Sequence, residues 1–234
     1  MNEALKNILF IDIETVGNVA GYEHLDERLK KEWARKAAWL KREEGQTDED
    51  LFHQRSGIYA EFGRVIVIGM GFFHYENDTL TLRTKVLQGD DEKALLQEFA
   101  VVLSKMADDL RLCAHNGREF DFPYLSRRML INGLALPEAL NLSGKKPWEI
   151  NHLDTMDMWK FGDWKHFTSL DLLAAVFDIE SSKSDMDGSM VNAVYYEDGN
   201  LDKIGEYCRQ DIIVTAKLYA KLKNIELAEL KIVQ

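Results

Sequence analysis

The segment LFIDIETVG, residues 9–17, decides the fold of this 234-residue chain. Side chains at every second position form two sets, one wholly apolar and one that ends in two acidic residues. This period of two predicts a strand over residues 6–14. This alternation places Asp12 and Glu14 on one strand face and Leu9, Ile11 and Ile13 on the other. Both carboxylates therefore point the same way and can share a divalent cation. A solvent-facing strand end explains most Asp-x-Glu pairs, so this segment alone does not establish a site.

Two later segments add acidic residues in positions typical of a rigid site. In CAHNGREFDFPYL, residues 113–125, Asp121 lies at the predicted start of a helix, where it could also act as an ordinary N-cap. In EYCRQDIIVT, residues 206–215, Tyr207 and Asp211 are four residues apart in a helical pattern and so share one helical face. A tyrosine held there can orient or help to deprotonate a water. Together the three segments predict a site for Mg²⁺-type cations.

The rest of the chain predicts strands that alternate with helices. Residues 23–44 are charged and helical, with Trp33 in their apolar stripe. The other predicted elements are a hairpin over 64–87, a helix within 89–110, a strand at 111–116, a helix over 120–132, a short strand at 152–154, and helices near 168–177, 181–194 and 201–223. This order predicts an α/β fold with a mixed five-stranded sheet flanked by helices. We expect a single domain over 1–234, with a charged helical insertion at about 22–60.

Composition limits the function classes. A formal net charge of −11 argues against a protein that coats nucleic acid by electrostatics alone. Carboxylates that chelate cations lose much of this charge, and a local basic rim can exist on an acidic protein, so contact with nucleic acid remains compatible with it. The two cysteines, Cys113 and Cys208, lie among apolar residues, which predicts buried thiols and excludes a cysteine-rich zinc site. Neither a signal-like stretch nor a membrane-spanning one is present in the sequence, so we expect a cytoplasmic protein without a membrane partner.

The three segments, in this order, resemble the motifs of a known enzyme family. D-I-E-T, N-G-x-x-F-D and Y-C-x-x-D are similar to the three exonuclease motifs of the DEDD (DnaQ-like) 3′–5′ exonuclease superfamily. Tyr207, four residues before the last aspartate, resembles the tyrosine subtype, whereas the other subtype would have histidine where Glu206 stands. Within the superfamily the chain looks most like stand-alone predicted exonucleases related to the proofreading domain of family-B DNA polymerases.

This resemblance implies a fold, a reaction and a set of site residues. The fold would be ribonuclease H-like, and the chain would hydrolyse phosphodiester bonds at the 3′ end of DNA, with single-stranded DNA favoured, and release nucleoside monophosphates. Tyr207 would position the attacking water. Two divalent cations, Mg²⁺ or Mn²⁺, would activate that water and stabilise the leaving oxygen. The implied metal ligands are Asp12, Glu14, Asp121 and Asp211, and the implied contacts to the terminal nucleotide are Thr15, Asn116 and Phe120.

Several points stay open at the level of sequence. The same site could act on RNA, because the motifs do not read the 2′-hydroxyl. A catalytically idle module that binds nucleic acid or a protein is the other alternative, although it has no physical reason to keep four repelling carboxylates together. No polymerase domain fits in the remaining sequence, so editing of DNA would proceed alone or with a polymerase or repair partner. The insertion could cover the site, mediate self-association through Trp33 and Trp39, or only extend the fold.

Scattered lysines could add a basic rim that follows the phosphates of a bound strand. Such residues more often only solvate a surface. The candidates are Lys145, Lys146, Lys160, Lys165 and Lys183.

Overall fold

A six-stranded mixed sheet organises the chain, with the strand that carries the first acidic pair near its middle. The structure is a computed structural model, and it describes residues 3–163, 167–181, 186–227 and 229–234. The sheet order is β5-β4-β1-β2-β3-β6. The strands are β1 (Ile8–Gly17), β2 (Gly63–Glu76), β3 (Thr79–Gln88), β4 (Arg111–Ala114), β5 (Leu153–Asp154) and β6 (Lys231–Val233). The β1–β2 and β2–β3 pairs are antiparallel, and the other neighbours are parallel.

Helices cover both faces of this sheet. They are α1 (Glu27–Ala37), α2 (Asp48–Arg55), α3 (Glu92–Ser104), α4 (Asp121–Ile131), α5 (Thr155–Lys160), α6 (Leu170–Val176), α7 (Val191–Tyr196) and α8 (Leu201–Leu222). The helix predicted near 181–194 falls partly on residues 182–185, which lie outside the described residues; its described part is α7 and a preceding 3₁₀ turn, Gly188–Met190. The predicted α/β class, with a mixed sheet between helices, is confirmed.

The strand count differs from the prediction by one. All five predicted strands are present, and β6 adds a sixth at the outer edge, where it pairs with Thr81–Arg83 of β3. A strand of three residues is too short to show the alternation that identifies strands in sequence. Its position depends on pairing with the edge of β3, a strand that is distant in sequence, so the local sequence does not predict it.

Alternation along β1 divides the core between the two sheet faces, as predicted. Leu9, Ile11 and Ile13 are buried with side chains of α3 and α4. Ile8 and Phe10 are buried on the other face with side chains of α8. The acidic residues that follow Phe10 at every second position therefore face α8.

The insertion folds around its own small core. Trp33 of α1 is fully buried, and its ring lies 5.2 Å from that of Phe52 in α2 and 5.0 Å from that of Phe62. Its indole Nε1 donates to the carbonyl of Asp48. The suggestion that Trp33 mediates self-association was therefore wrong, because the ring is used to join the two helices of the insertion. Trp39, in contrast, is 91% exposed, so its ring is accessible to another molecule.

Candidate active site

The first acidic pair lies where β1 loses regular pairing with β2. Asp12 is opposite Gly69 and Glu14 is opposite Val67, but Thr15 is opposite Val65, so β2 carries one extra residue. This is a β-bulge, a feature that proteins often place beside active sites because it redirects side chains. Asp12 is half-buried and Glu14 is 7% exposed. Asp12 and Glu14 therefore do not form a solvent-facing strand end, the alternative that the sequence left open.

Asp121 reaches β1 from the first residue of α4. Its carboxylate accepts a hydrogen bond from the backbone N–H of Ile13, with N and Oδ1 3.2 Å apart. The N-cap position of α4 is Phe120, so the ordinary capping role considered for Asp121 does not describe this residue. At 3% exposure the carboxyl is buried between the helix and the strand that carries Asp12 and Glu14.

The loop before Asp121 is held by a residue that sequence reasoning left out of the site. Asp154, at the end of β5, accepts hydrogen bonds from the backbone N–H groups of Asn116 and Arg118, each at 3.0 Å. It also caps α5 by accepting from the N–H of Met156. Asp154 thus supports the loop that leads into α4 and caps α5, which is a structural role. Asn116 itself has a left-handed backbone, with φ of 65°.

The third segment lies on α8, with three side chains facing β1. Asp211 is 9% exposed, and the Tyr207 hydroxyl shares a hydrogen bond with it. Between them Cys208 directs its Sγ at Asp12, 3.2 Å from Oδ2. Oxygens of Asp12 and Glu14 and the Cys208 Sγ all lie within 4.8 Å of one another. The structure therefore brings Asp12, Glu14, Asp121, Tyr207 and Asp211 to one place from three separated segments.

Two glycines of β2 allow α8 to come this close. A Cβ on Gly69 would lie 2.7 Å from the Cys208 Sγ, and one on Gly71 would lie 2.6 Å from a methyl carbon of Ile212. Contacts below 3.0 Å essentially never occur for real Cβ atoms. The bare backbone of β2 is thus what lets the helix approach the sheet next to Asp12.

Burial and mutual repulsion dominate the electrostatics of these carboxyls. Burial, followed by the charges of Glu14, Asp211 and Asp121, raises the pKa of Asp12 well above its usual value. The pKa of Glu14 is raised by burial and then by Asp211 and Asp121. Burial, with smaller contributions from Asp154 and Asp211, raises the pKa of Asp121 to about 7. Negative charge is therefore costly here, and a divalent cation would relieve that cost.

The same burial keeps the neighbouring phenol and thiol protonated. The pKa of Tyr207 is raised by burial and then by the charges of Asp211, Glu14 and Asp12. The pKa of the Cys208 thiol is raised well above its usual value by burial and by Asp12 and Glu14. Tyr207 is thus a neutral hydroxyl suited to orienting a water. Cys208 is a neutral thiol that donates a hydrogen bond to Asp12.

A pocket of about 360 Å³ opens beside Glu14. Of the three residues implied to bind the terminal nucleotide, Thr15 and Phe120 line it, whereas Asn116 does not. Asn116 instead keeps a buried Oδ1 that has no hydrogen-bond partner in the described part of the chain. The remaining lining residues are Ile13, His53, Gln54, Gly57, Ile58, Gly188, Ser189 and Asn192.

The sequence reasoning missed several contributors, among them Cys208, His53 and Gln54. Cys208 could have been found, because it precedes Asp211 by three residues and so shares its helical face. His53 and Gln54 carried no signal, because their place beside Glu14 depends on how the insertion folds back.

The suggested basic rim is not assembled at the pocket. Lys145 pairs with Glu138, Lys160 pairs with Asp157, and Lys146 lies over the Trp148 ring. None of these three lysines is among the residues that line the pocket. Lys165 and Lys183 lie outside the described residues.

Among the described residues, no helix is both long enough and apolar enough to cross a bilayer.

Comparison with solved structures supports the fold. No curated protein matches the chain in sequence. Among solved structures, the family B DNA polymerase from the hyperthermophilic archaeon Pyrobaculum calidifontis aligns with a TM-score of 0.60 at 15% identity. The alignment covers 92% of this chain and 24% of the polymerase chain, so it shows a shared fold over a quarter of that protein.

A family model gives the more specific result. Residues 58–230, which hold the second and third acidic segments, match a family described as predicted 3′–5′ exonucleases related to the exonuclease domain of PolB. The resemblance read from the three motifs is thereby confirmed at the level of the family. This chain belongs to the family of predicted 3′–5′ exonucleases related to the PolB exonuclease domain.

Proposed function

We propose that this chain removes nucleoside monophosphates from the 3′ end of DNA, with single-stranded DNA as its substrate, by hydrolysis that depends on two divalent cations. The observation that carries the proposal is the convergence of four carboxylates, from β1, α4 and α8, around a neutral tyrosine hydroxyl. The pocket beside Glu14 gives a terminal nucleotide a place next to these acids.

The donor set fits Mg²⁺ or Mn²⁺. These cations prefer oxygen ligands, and Asp12, Glu14, Asp121 and Asp211 supply carboxylate oxygens. The pKa values of Asp12, Glu14 and Asp121 are raised by burial and by the neighbouring carboxylates, which is the setting in which bound cations would stabilise the charged forms. When bound, two such cations stabilise the charge of the scissile phosphate and leaving oxygen and lower the pKa of the attacking water.

The chain's own residues supply position and orientation. The backbone of Ile13 and the thiol of Cys208 fix the Asp121 and Asp12 carboxylates by hydrogen bonds. Tyr207 remains protonated and orients the attacking water through its hydroxyl. Thr15 and Phe120 bind the terminal nucleotide from the pocket, and we assign Asn116 the same role from the adjoining loop.

We further propose that residues 1–234 act as one exonuclease domain, with the insertion at about 22–60 as one wall of its pocket. A polymerase or repair factor that presents an unpaired 3′ end is the proposed partner. Proofreading or repair would be the resulting role. The support for this role is the shared fold with a polymerase, of which the chain spans about a quarter.

A gel assay tests the proposal. A 5′-labelled single-stranded DNA and the RNA of the same sequence are incubated with Mg²⁺ or Mn²⁺ and with wild type, Asp211→Asn or Asp108→Asn. Asp108 is an exposed carboxylate away from the site, and its variant should match wild type. Asp211→Asn should lower the rate by about 10²- to 10³-fold, a cost typical of losing one group that stabilises transition-state charge.

The outcomes separate the alternatives. A metal-dependent ladder that shortens from the 3′ end of DNA, and is lost in Asp211→Asn, supports the proposal. Equal or faster loss of RNA would move the assignment to an exoribonuclease with the same site. No cleavage of either polymer by a folded protein that binds the metal would favour a nucleic-acid- or partner-binding module.

A further inference from the structure

The pocket beside Glu14 has two walls that do not come from the exonuclease motifs. One is Gln54 of α2, and the other is Asn192 of α7. Gln54 also lies outside residues 58–230, the part of the chain that matches the family. The hydrogen bonds of these two side chains determine which of their atoms face a ligand, and the inference rests on the proposed function.

The amide of Gln54 is oriented by a chain of hydrogen bonds within the insertion. The backbone N–H of Glu43 donates to Gln46 Oε1 at 3.1 Å. The amide oxygen of Gln46 is therefore occupied, and its Nε2 donates to Gln54 Oε1 at 2.8 Å. Because the oxygen of Gln54 is used in this contact, its Nε2 group is left as the donor for the pocket.

Asn192 is oriented in the same sense from the opposite wall. Its Oδ1 accepts a hydrogen bond from the backbone N–H of Gly17 at 3.0 Å. The neighbouring Tyr196 hydroxyl donates to the carbonyl of Gly17 at 2.6 Å. Both the N–H and the carbonyl of Gly17, at the end of β1, are therefore hydrogen-bonded to side chains of α7. An amide whose oxygen faces a backbone N–H must offer its Nδ2 elsewhere. Within the described residues, neither this nitrogen nor Gln54 Nε2 has a protein acceptor.

The amide N–H groups of Gln54 and Asn192 favour a ligand that carries hydrogen-bond acceptors. Ser189 adds no donor, because its hydroxyl donates to Asp187. Every DNA base carries a hydrogen-bond acceptor on its minor-groove edge, which is O2 in pyrimidines and N3 in purines. Phe120, which also lines the pocket, offers an aromatic face, and stacking on such a face is tolerant of sequence.

We propose that Gln54 Nε2 and Asn192 Nδ2 bind the acceptor edge of the base of the 3′-terminal nucleotide, whichever base it is. The insertion then contributes directly to substrate binding through α2. The site reads the presence of a base without reading its identity, as a nuclease that degrades any sequence requires.

Gln54→Met tests this, because it keeps the length of an exposed side chain and removes only the amide. Gln97→Met, the same change at an exposed glutamine of α3, is the matched control. Substrates are DNA oligomers that end in each of the four bases or in an abasic 3′-terminal residue. We expect Gln54→Met to lower kcat/KM about 3- to 10-fold for all four bases, the loss of one neutral hydrogen bond. The rate on the abasic substrate should not change.

A second readout avoids catalysis. Isothermal titration of thymidine monophosphate in Mg²⁺ should show weaker binding to Gln54→Met by a similar factor, and unchanged binding to Gln97→Met. If wild type cleaves DNA but the two variants behave alike, the inference is wrong and the proposed function stands. An equal loss by Gln54→Met on normal and abasic ends also overturns the inference. If wild type neither cleaves nor binds the nucleotide, the proposed function and this inference fail together.

Discussion

Asp121 shows what a single residue of this cluster costs the protein. Its carboxyl is almost completely buried, and burial raises its pKa to about 7, whereas an unperturbed aspartate has a pKa of 3.8. Between these two values the folded protein holds a proton on Asp121 that the unfolded chain releases. The contribution of Asp121 to the free energy of unfolding therefore falls as pH rises through this window. This sign is opposite to that of an aspartate in an ion pair.

Asp121→Asn should remove that dependence. Asparagine cannot ionise, but its Oδ1 can still accept from the N–H of Ile13. Relative to wild type, the variant should become more stable as pH rises from about 4 to about 7. Urea unfolding in EDTA at several pH values would measure the difference. Two curves that stay parallel across this range would show that Asp121 ionises normally in the folded protein.

At the scale of elements, the distance between α8 and β2 determines whether the site exists. Gly69 is paired with Asp12 in the sheet and faces the Cys208 Sγ of α8. A methyl group at this position would meet a buried sulfur and a buried isoleucine, neither of which can move freely. The helix would have to shift, and Asp211 would shift with it.

Gly69→Ala should therefore lower both stability and the proposed nuclease activity. We expect a loss of about 1–3 kcal/mol in the free energy of unfolding, the usual cost of an overpacked core. Gly89→Ala is the control, because a Cβ there meets nothing within 4 Å. Adding Cys208→Ala to Gly69→Ala removes the nearest clashing atom and should restore part of the stability. Urea unfolding of the four proteins tests this, and a Gly69→Ala variant as stable as wild type would contradict it.

Local sequence patterns predict part of this molecule, and contacts between distant segments determine the rest. The alternation in β1 and the helical spacing of Tyr207 and Asp211 are local patterns, and the structure has the strand and helix that they predict. β6, the bulge after Glu14 and the place of Gln54 beside the pocket depend on contacts between distant segments. Those contacts are tertiary, and no periodicity in the local sequence encodes them.

For the whole molecule, the concentration of negative charge is the central energetic fact. A chain of formal net charge −11 gathers four carboxylates from three elements into one buried place. Apart from a role in binding, this arrangement only destabilises the fold, because burial and like charge both penalise ionisation. A ligand that binds the native state and supplies positive charge would reverse that penalty.

Mg²⁺ or Mn²⁺ should therefore raise the melting temperature of wild type. At 100 times the dissociation constant, binding adds about 2.7 kcal/mol to the free energy of unfolding. For a protein of this size that is a shift of about 5–10 °C. Calorimetry of wild type, Asp12→Asn and Asp108→Asn, with EDTA or with millimolar metal, measures it. The shift should shrink in Asp12→Asn, which lacks one proposed ligand, and persist in Asp108→Asn. An unchanged wild-type melting curve, or equal shifts in all three proteins, would mean that these carboxylates do not form a cation site, and the two-metal mechanism would lose its structural basis.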